Sequence, residues 1–424
     1  MFDMTKSEKI IKKRYAAETR FRIYGKIAVG IGILTVCFLL YTVFSAGYSA
    51  FKSTSVAVDL DLDPNLMRLE TSVTSDNIAK ADMLNLLRRN LIKIYPEIRK
   101  RRERKDLFLM FSSVAPQEIR HWVQKNLESI GTKQRFWLTA SSSLDQIYKG
   151  NAPRDIEEKS RLLSDLQLNL LDQWNSEGKI RSNFNWYFFR NGDSRSAEIA
   201  GIGGAVMGSL LSLLVCFFLS FPIGIATAVY LEEFAPKNRW TEWIEVNINN
   251  LAAVPSIIFG LLGLAMLLNF FGMPRGTPLV GGTVLSLMTL PTIIIACRSS
   301  LKAVPPSIRE GAFAMGATPV QVVLHHVLPL AMPGTFTGTI IGLSQALGET
   351  APLLMIGMFA FVVDIPTSPV EPSSSIPVQI YLWAESAERG FVEKTAAAIM
   401  AILVFLILMN SLAVYLRNRF ERRW

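Results

Sequence analysis

Glu349 is a lone carboxylate in an apolar setting. It stands in Gly348-Glu349-Thr350-Ala351-Pro352-Leu353-Leu354, about 16 residues into an otherwise uncharged run, Gly334–Phe361. An ionisable group at that depth is costly unless it faces protein or water, so it marks a transport path or a polar contact between helices. A second cluster, Glu310, Gly311, Ala312, Gly316, Leu328 and Pro329, lies in the polar stretch Arg298–Pro333 between two long apolar runs. Such a stretch is either a surface loop or a docking element for a soluble partner. The histidines are His121, His325 and His326. The adjacent pair would point about 100° apart on a helix, a poor arrangement for one metal ion. No G-x4-G-K-[ST] occurs, so the chain has no loop of its own to cradle the phosphates of ATP. Carboxylates and histidines are not arranged for hydrolysis either. Cys37, Cys216 and Cys297 fall in three separate apolar runs and read as small buried apolar residues.

The second cluster needs helices to present it. Ser307 with Glu310, and Thr318 with Gln321, have the spacing of capping boxes, each a helix start. Pro319 falls at a first helical position, where its missing N–H is harmless. Gly316 suits a left-handed helix exit. Ile308, Gly311, Ala312 and Met315, then Val320, Val323, Leu324 and Val327, repeat at i, i+3, i+4, i+7. The pattern predicts two short helices joined at a glycine.

Half of the 424 residues are hydrophobic and 19% are charged, a membrane-like balance. The net charge of +9 could suggest nucleic acid, but much of it flanks apolar spans. Residues 1–26 hold eight Lys/Arg, and Ile27–Tyr48 is then uncharged over about 22 residues, long enough to cross a bilayer. That run exceeds the usual core of a cleaved signal, about 7–15 residues, so it reads as a retained anchor. Five further spans are expected: Ile199–Tyr230, Leu251–Phe271, Leu279–Cys297, Gly334–Phe361 and Thr395–Leu416. In the first of these, Gly204, Gly208 and Ser212 recur every four positions, which allows close helix packing. Pro222, Pro255, Pro291 and Pro352 lie in or near spans and permit bending. A charged tail, residues 417–424, follows.

Residues 51–198 are enough for one small soluble domain. Ile78, Leu84, Leu87 and Leu91 suggest one helix, and Ile156, Leu163, Leu166, Leu170 and Trp174 another. Asp106–Val114, Arg135–Ala140 and Asn183–Arg190 look like strands, so an α+β domain is expected. Its basic run Arg99–Lys105 has the charge to contact anionic lipid or an acidic partner, but the solvated helix end is the favoured reading, because the region is nearly balanced, with 24 Lys/Arg against 20 Asp/Glu.

Orientation follows from Lys/Arg in the ends and short loops. One side collects 17 of them, from the N-terminus, Leu231–Asn247, the central loop and the tail; the other side's short loops hold Arg275 and Arg389. Both termini and the central loop are therefore expected in the cytoplasm. Residues 51–198 are expected outside, in the periplasm of a Gram-negative cell, with the spans in its inner (plasma) membrane.

E-G-A-x3-G…L-P, from Glu310 to Pro329, resembles the EAA loop of bacterial ABC-importer permeases. In that family the loop forms the coupling helix seated in a groove of the ATPase. Gly311 replaces the usual alanine, and His326 occupies a normally apolar site. Gly348–Leu354, Tyr230–Gly263 and Leu301–Thr318 extend the likeness, in order, to the PstA-type permeases of phosphate ABC importers. The likeness covers roughly residues 199–416, and residues 51–198 resemble an extension carried by a subset of them. It implies an all-α polytopic membrane protein of six transmembrane helices, with a core like that of type I ABC importer permeases and an inserted α+β periplasmic domain.

The resemblance further implies that Glu310, Gly311, Ala312, Gly316, Leu328 and Pro329 couple the chain to an ATPase. Glu349, Gln345 and Thr350 become candidates for the translocation pathway. The family commonly has an arginine where this chain has Gln345. The implied partners are a second, PstC-like permease, two PstB-like ATPase subunits, a periplasmic PstS-like phosphate-binding protein and the lipid bilayer; no nucleic acid is implied. ATP and Mg²⁺ would bind the ATPase, and no cofactor or metal is expected on this chain, which is not itself an enzyme. Two other readings stand beside phosphate import: a permease for another oxyanion, and a membrane-anchored sensor or scaffold. A sensor needs a cytoplasmic output domain, and only short loops and ends remain to build one.

Overall fold

The structure, a computed structural model, describes residues 4–68, 75–359 and 361–420. Part of the expected basic N-terminal segment, residues 1–3, and part of the expected tail, residues 421–424, lie outside the described residues. Helix α1, Met4–Gly47, is one 44-residue rod, about 66 Å long at 1.5 Å per residue. The expected anchor is therefore one end of a longer helix that continues through the basic segment. Ile31, Leu34, Phe38 and Tyr41 are exposed along it, which a membrane span tolerates because lipid covers them. Cys37 shares that exposure, so the expectation of three buried cysteines holds only for Cys216 and Cys297.

A short 3-10 turn, Tyr48–Phe51, passes into β1, Lys52–Asp61. This strand is the middle of a three-stranded antiparallel sheet ordered β2-β1-β3. In it β2 is Lys133–Thr139 and β3 is Ile180–Phe184, and Val56 faces Leu138 on one side and Ile180 on the other. Five residues in a row, Thr54–Val58, are buried in β1. The two-residue alternation that announces a strand is therefore confined to its second half, Val58-Asp59-Leu60-Asp61. Helices α2 (Ser75–Lys80), α3 (Met83–Ile94), α4 (Arg101–Phe108), α5 (Ala115–Lys125), α6 (Ser142–Tyr148), α7 (Asp165–Ser176) and α8 (Trp186–Arg190) complete an α+β body. One apolar core, from Val56 to Ile180, fills it. At its centre the buried Trp174 donates to the Tyr95 hydroxyl at 2.6 Å.

Several expected elements change type here for local reasons. The helix expected through Ile78 and Leu84 is broken, because the Asp82 carboxylate accepts from Asn85 N–H and starts α3 afresh. The strand expected over Asp106–Val114 is helical to Phe108, where Leu107 is the buried residue of α4, and only Phe111 pairs as expected, in a single antiparallel bridge to Ala140. The strand expected over Asn183–Arg190 stops at Phe184, where Asn185 caps α8 by accepting from Phe188 N–H. Helix α7 begins only at the capping box of Ser164 and Gln167, beyond Ile156 and Leu163.

The membrane-like part begins with α9, Gly203–Val229, which widens into a π turn at Tyr230–Phe234. Next come α10 (Arg239–Ala252) and α11 (Ser256–Leu262), the latter continuing as π helix to Phe270. Then α12 (Pro278–Lys302), α13 (Pro306–Ala314) and α14 (Pro319–Gln321) follow. Without a break, α14 passes through a π segment, Val322–Val327, into α15 (Leu328–Gly348). The chain ends with α16 (Ala351–Met355), α17 (Ile376–Ala384) and α18 (Gly390–Phe420). By length and composition five helices can cross a membrane, or six if the pair α10 and α11, bent by 103°, counts as one span. The expected third span, Leu251–Phe271, is thus a bent pair, broken just before Pro255.

Small residues bring α9, α12 and α15 together, as membrane helices without a hydrophobic driving force require. A Cβ on Gly282 would lie 2.5 Å from Ser212 O, and one on Gly338 would lie 2.1 Å from Ala296 Cβ. Ser212 therefore packs between helices as its spacing suggested. Gly208 instead meets a loop, with Ser374 O 2.1 Å from its missing Cβ. Pro222 and Pro291 sit inside unbroken helices.

Polar contacts bind the α+β body to the membrane-like part. Glu393 at the start of α18 accepts from Lys149 at 3.0 Å, Asn151 at 3.0 Å and Ser49 at 2.5 Å. Ser112 donates to Glu198 at 2.7 Å. Lys394 is fully buried and donates to Ala200 O.

Candidate functional site

The polar hairpin is an elbow of about fifteen residues between α12 and α14. The expected two short helices are only partly right, since Arg298–Lys302 belongs to α12 and everything after Thr318 is the start of α15's long rod. Pro305 and Pro306 fix the start of α13, with Pro305 extended at the N-cap and no side-chain cap bond. Ser307 therefore lies inside the helix, and the capping box expected with Glu310 does not form. The exit is a Schellman motif: Gly316 takes φ +84°, its N–H reaches Phe313 O, and Ala317 N–H reaches Ala312 O. The second expected box is present. Thr318 Oγ1 accepts from Gln321 N–H, and the Gln321 side chain accepts from Thr318 N–H.

An ion cluster fastens this elbow. Arg309 of α13 grips Glu233, at the end of the π turn after α9, through Nη2 at 2.6 Å and Nε at 3.3 Å. The same guanidinium donates to Val304 O and Leu301 O at the end of α12. Arg298 pairs with Glu232 at 3.3 Å and Glu245 of α10 at 2.7 Å, and Lys302 lies 3.6 Å from Glu232. Below it Ala228, Cys297, Leu301, Ala312, Val322 and Val327 form one buried cluster. In the sequence these cations read only as markers of membrane side. Their acids, 53 to 76 residues away, gave no local signal.

Packing splits the faces that periodicity outlined. Ala312, Val323 and Val327 are buried, whereas Gly311, Val320 and Leu324 are exposed and Met315 is 89% exposed. The widened π turn after Gln321 shifts which side faces inward. On α13 and at its exit, Glu310, Gly311, Phe313 and Met315 are exposed, an outward surface that is apolar apart from Glu310. Leu328 is half-buried and Pro329 exposed at the foot of α15. His325 and His326 are exposed, and no metal-ligating group occurs among the described residues.

Glu349 sits elsewhere than expected. Helix α15 stops at Gly348, and Glu349 is its extended C-cap at ψ 121°, not a residue deep in a helix. Pro352, in the first turn of α16, keeps the two helices separate. The helix after the break packs closely on α11: a Cβ on Gly260 of α11 would lie 2.6 Å from Pro352 Cα. Two discontinuous helices, each following a proline-marked break, thus meet, so the Tyr230–Gly263 and Gly348–Leu354 motifs converge in space. Gln345, one turn earlier on α15, is exposed; Glu349 and Thr350 are half-buried. Among the described residues none hydrogen-bonds or ion-pairs with the Glu349 carboxylate. The rod from Pro319 to Gly348 has 30 residues, so the break stands about 45 Å from the elbow at the other end.

Residues 220–423 match the model of the binding-protein-dependent transport system inner membrane component, and residues 8–158 match a domain of unknown function, DUF3333. The phosphate transport system permease protein PstC of Haemophilus influenzae is 32% identical over 226 residues, 48% of this chain and 70% of that protein. The probable phosphate transport system permease protein PstA of Methanocaldococcus jannaschii is 30% identical over 219 residues, 51% of this chain and 75% of that protein. A structure of the MetNI methionine ABC transporter aligns with TM-score 0.43 at 20% identity, over 52% of this chain and 97% of that one. By its matched helices and by relatives of which it covers more than two thirds, the chain belongs to the family of binding-protein-dependent transport system inner membrane components, the permease subunits of ABC importers.

Proposed function

We propose that this chain is a pathway-forming permease subunit of an ATP-driven inorganic phosphate importer. The observation that carries the reading is the elbow, whose outward surface is free while its inner side is fastened to three helices. A second permease, two ATPase subunits and a phosphate-binding protein complete the machine. ATP and Mg²⁺ bind the ATPase, and this chain hydrolyses nothing. The elbow and both termini face the cytoplasm, and the α+β body faces the periplasm. Relatives named as phosphate permeases support the substrate, and the Gly348–Leu354 motif favours the PstA-type place in the permease pair.

In this reading ATPase closure pushes on Glu310 and Gly311, and the buried Ala312 seats α13 on the cluster beneath it. Gly316 sets the angle of the elbow, and Leu328 and Pro329 pass the displacement into α15. Arg309 and Arg298 pass it to α9, α10 and α12. The far end of α15 carries Gln345, Glu349 and Thr350, where a movement of the broken helices opens or closes a polar path. Glu310→Lys, which leaves the elbow's internal bonds intact, is expected to lower ATPase co-purification at least tenfold at unchanged membrane level. Gly316→Trp is expected to do the same by straining φ. Full ATPase yield with both variants would remove the docking role. Glu349→Gln is expected to lower phosphate uptake in vesicles, and normal uptake would return Glu349 to a structural role. Gln345, where the resembling family has a cation, favours another oxyanion as the second reading. Uptake of labelled phosphate competed by arsenate, sulfate and molybdate decides between the two.

A further inference from the structure

The α+β body carries a groove that neither the transport reading nor the sheet explains. It lies between α3, α4 and α5 and encloses about 1490 Å³. Its wall is apolar, with Leu84, Leu87, Phe108 and Leu109 among the lining residues. Seven cations line it too: Arg88, Arg99, Arg101, Arg102, Arg104, Lys105 and Arg120, with no acid among the described lining residues. A solvated helix end accounts for residues 99–105, but not for the arrival of Arg88 from α3 and Arg120 from α5 at the same cavity.

These cations lack the neutralisation found elsewhere on the body. Lys93, Arg135, Arg154, Arg161 and Lys179 each have a carboxylate within salt-bridge distance. Among the described residues, none of the seven has one. Arg88 lies over the Phe108 ring at 5.4 Å, and Arg104 donates to Ile98 O. Arg120 donates to Ala81 O through Nη2, while its buried Nε has no partner. Seven like charges around one cavity repel each other, and a buried donor left unpaired is costly. Both costs are relieved by a bound anion.

The occupant's chemistry follows from the lining. Guanidinium forks match the oxygens of phosphate in paired hydrogen bonds, and a phosphate ester concentrates nearly two charges on one group. A lone inorganic anion would fill little of the volume and leave the leucine and phenylalanine wall wet. We propose that the groove binds an organic phosphate: the phosphate is held by the arginines and its hydrocarbon part lies along Leu84, Leu87, Phe108 and Leu109. Arg102 and Leu109 also line an adjoining cavity beside the starts of α9 and α18, but that cavity holds four acids, Asp106, Glu158, Glu198 and Glu388, so the phosphate belongs in the groove and not there. The groove opens at the surface of the body, and a soluble ester and a phospholipid headgroup would present the same phosphate chemistry to it. It does not depend on which anion the membrane helices carry.

The test uses the full chain in phosphatidylcholine nanodiscs, titrated by calorimetry with hexyl phosphate. Hexyl phosphate is expected to bind at least tenfold more tightly than inorganic phosphate, and more weakly as salt rises. Arg101→Glu with Arg102→Glu is expected to weaken it at least tenfold. Leu109→Asp, at a residue 55% exposed and so compatible with folding, is expected to weaken it about fivefold. Retained circular dichroism shows that the variants fold. Displacement of the probe by discs containing phosphatidylglycerol would assign the site to a lipid headgroup; undiminished binding would assign it to a soluble ester, and both uphold the proposal. Equal affinity for hexyl and inorganic phosphate, indifference to both variants, or preferential capture of a glutamate-rich peptide would overturn it. Glu349→Gln leaves this binding unchanged, so failure of the transport reading registers separately.

Discussion

Arg309 is the side chain that couples the elbow to the rest of the molecule. It fills four acceptor positions on two other segments, and Glu233 opposite it is mostly buried. Removing the guanidinium leaves that carboxylate and two carbonyls short of donors. Arg309→Ala is expected to cost roughly 1–3 kcal/mol of local stability, seen as faster amide hydrogen exchange across residues 304–318. Unchanged protection there would show that the pair does not hold the elbow. Two glycines respond in opposite ways. Gly311 is helical with nothing within 4 Å of an added Cβ, so Gly311→Ala is expected to stabilise the elbow by about 0.5–1 kcal/mol. Gly260 has no such room beside the Pro352 backbone, and Gly260→Ala is expected to cost about 1–3 kcal/mol by forcing α11 and α16 apart. Thermal unfolding of the two variants in the same detergent compares them directly; a Gly260→Ala melting point at or above wild type would contradict the close contact.

Elements were legible where their signal is local. The Thr318–Gln321 box and the left-handed Gly316 need only neighbouring residues, and both form as read. The Ser307–Glu310 box needs the same spacing, yet Pro306 takes the first helical position and pre-empts it. The long helices α9, α12 and α18 were found within a few residues of their ends, because an apolar run of that length has few other uses. The break at Glu349 was missed since Gly334–Phe361 looks like one continuous run; the contact with Gly260 that accompanies the break is a tertiary fact. Strand β1 was missed although Val58-Asp59-Leu60-Asp61 alternates, because that signal is short and its first half, Thr54–Val58, is buried on both faces. Thr318→Ala is expected to remove about 1 kcal/mol of helix-start stability, read as loss of exchange protection at Gln321. Equal protection would mean that the membrane, not the cap, holds the start of the rod.

At the scale of the whole molecule, the α+β body is seated on the membrane helices through groups whose charge matters. Burial raises the pKa of Glu198 above the usual carboxylate range, against the lowering effect of its bond from Ser112. A carboxyl raised in the fold favours the protonated folded state. The contribution of Glu198 to stability is therefore fully present below about pH 4.5, the ordinary value, and is lost as pH rises through the raised one. Glu198→Gln keeps an acceptor for Ser112 and is expected to flatten that slope, measured as melting temperature against pH; an identical slope would exclude Glu198 as its source. The way the body is joined to α1 has a mechanical consequence. The rod ends at Gly47, and five residues later its chain is the central strand of the sheet, hydrogen-bonded on both sides. Tension drawn along that rod would load two antiparallel ladders in shear, stretching their bonds together instead of unzipping them one by one. A change in bilayer thickness or in the tilt of the rod would thus reorient the body as a unit before it unravelled any part of it.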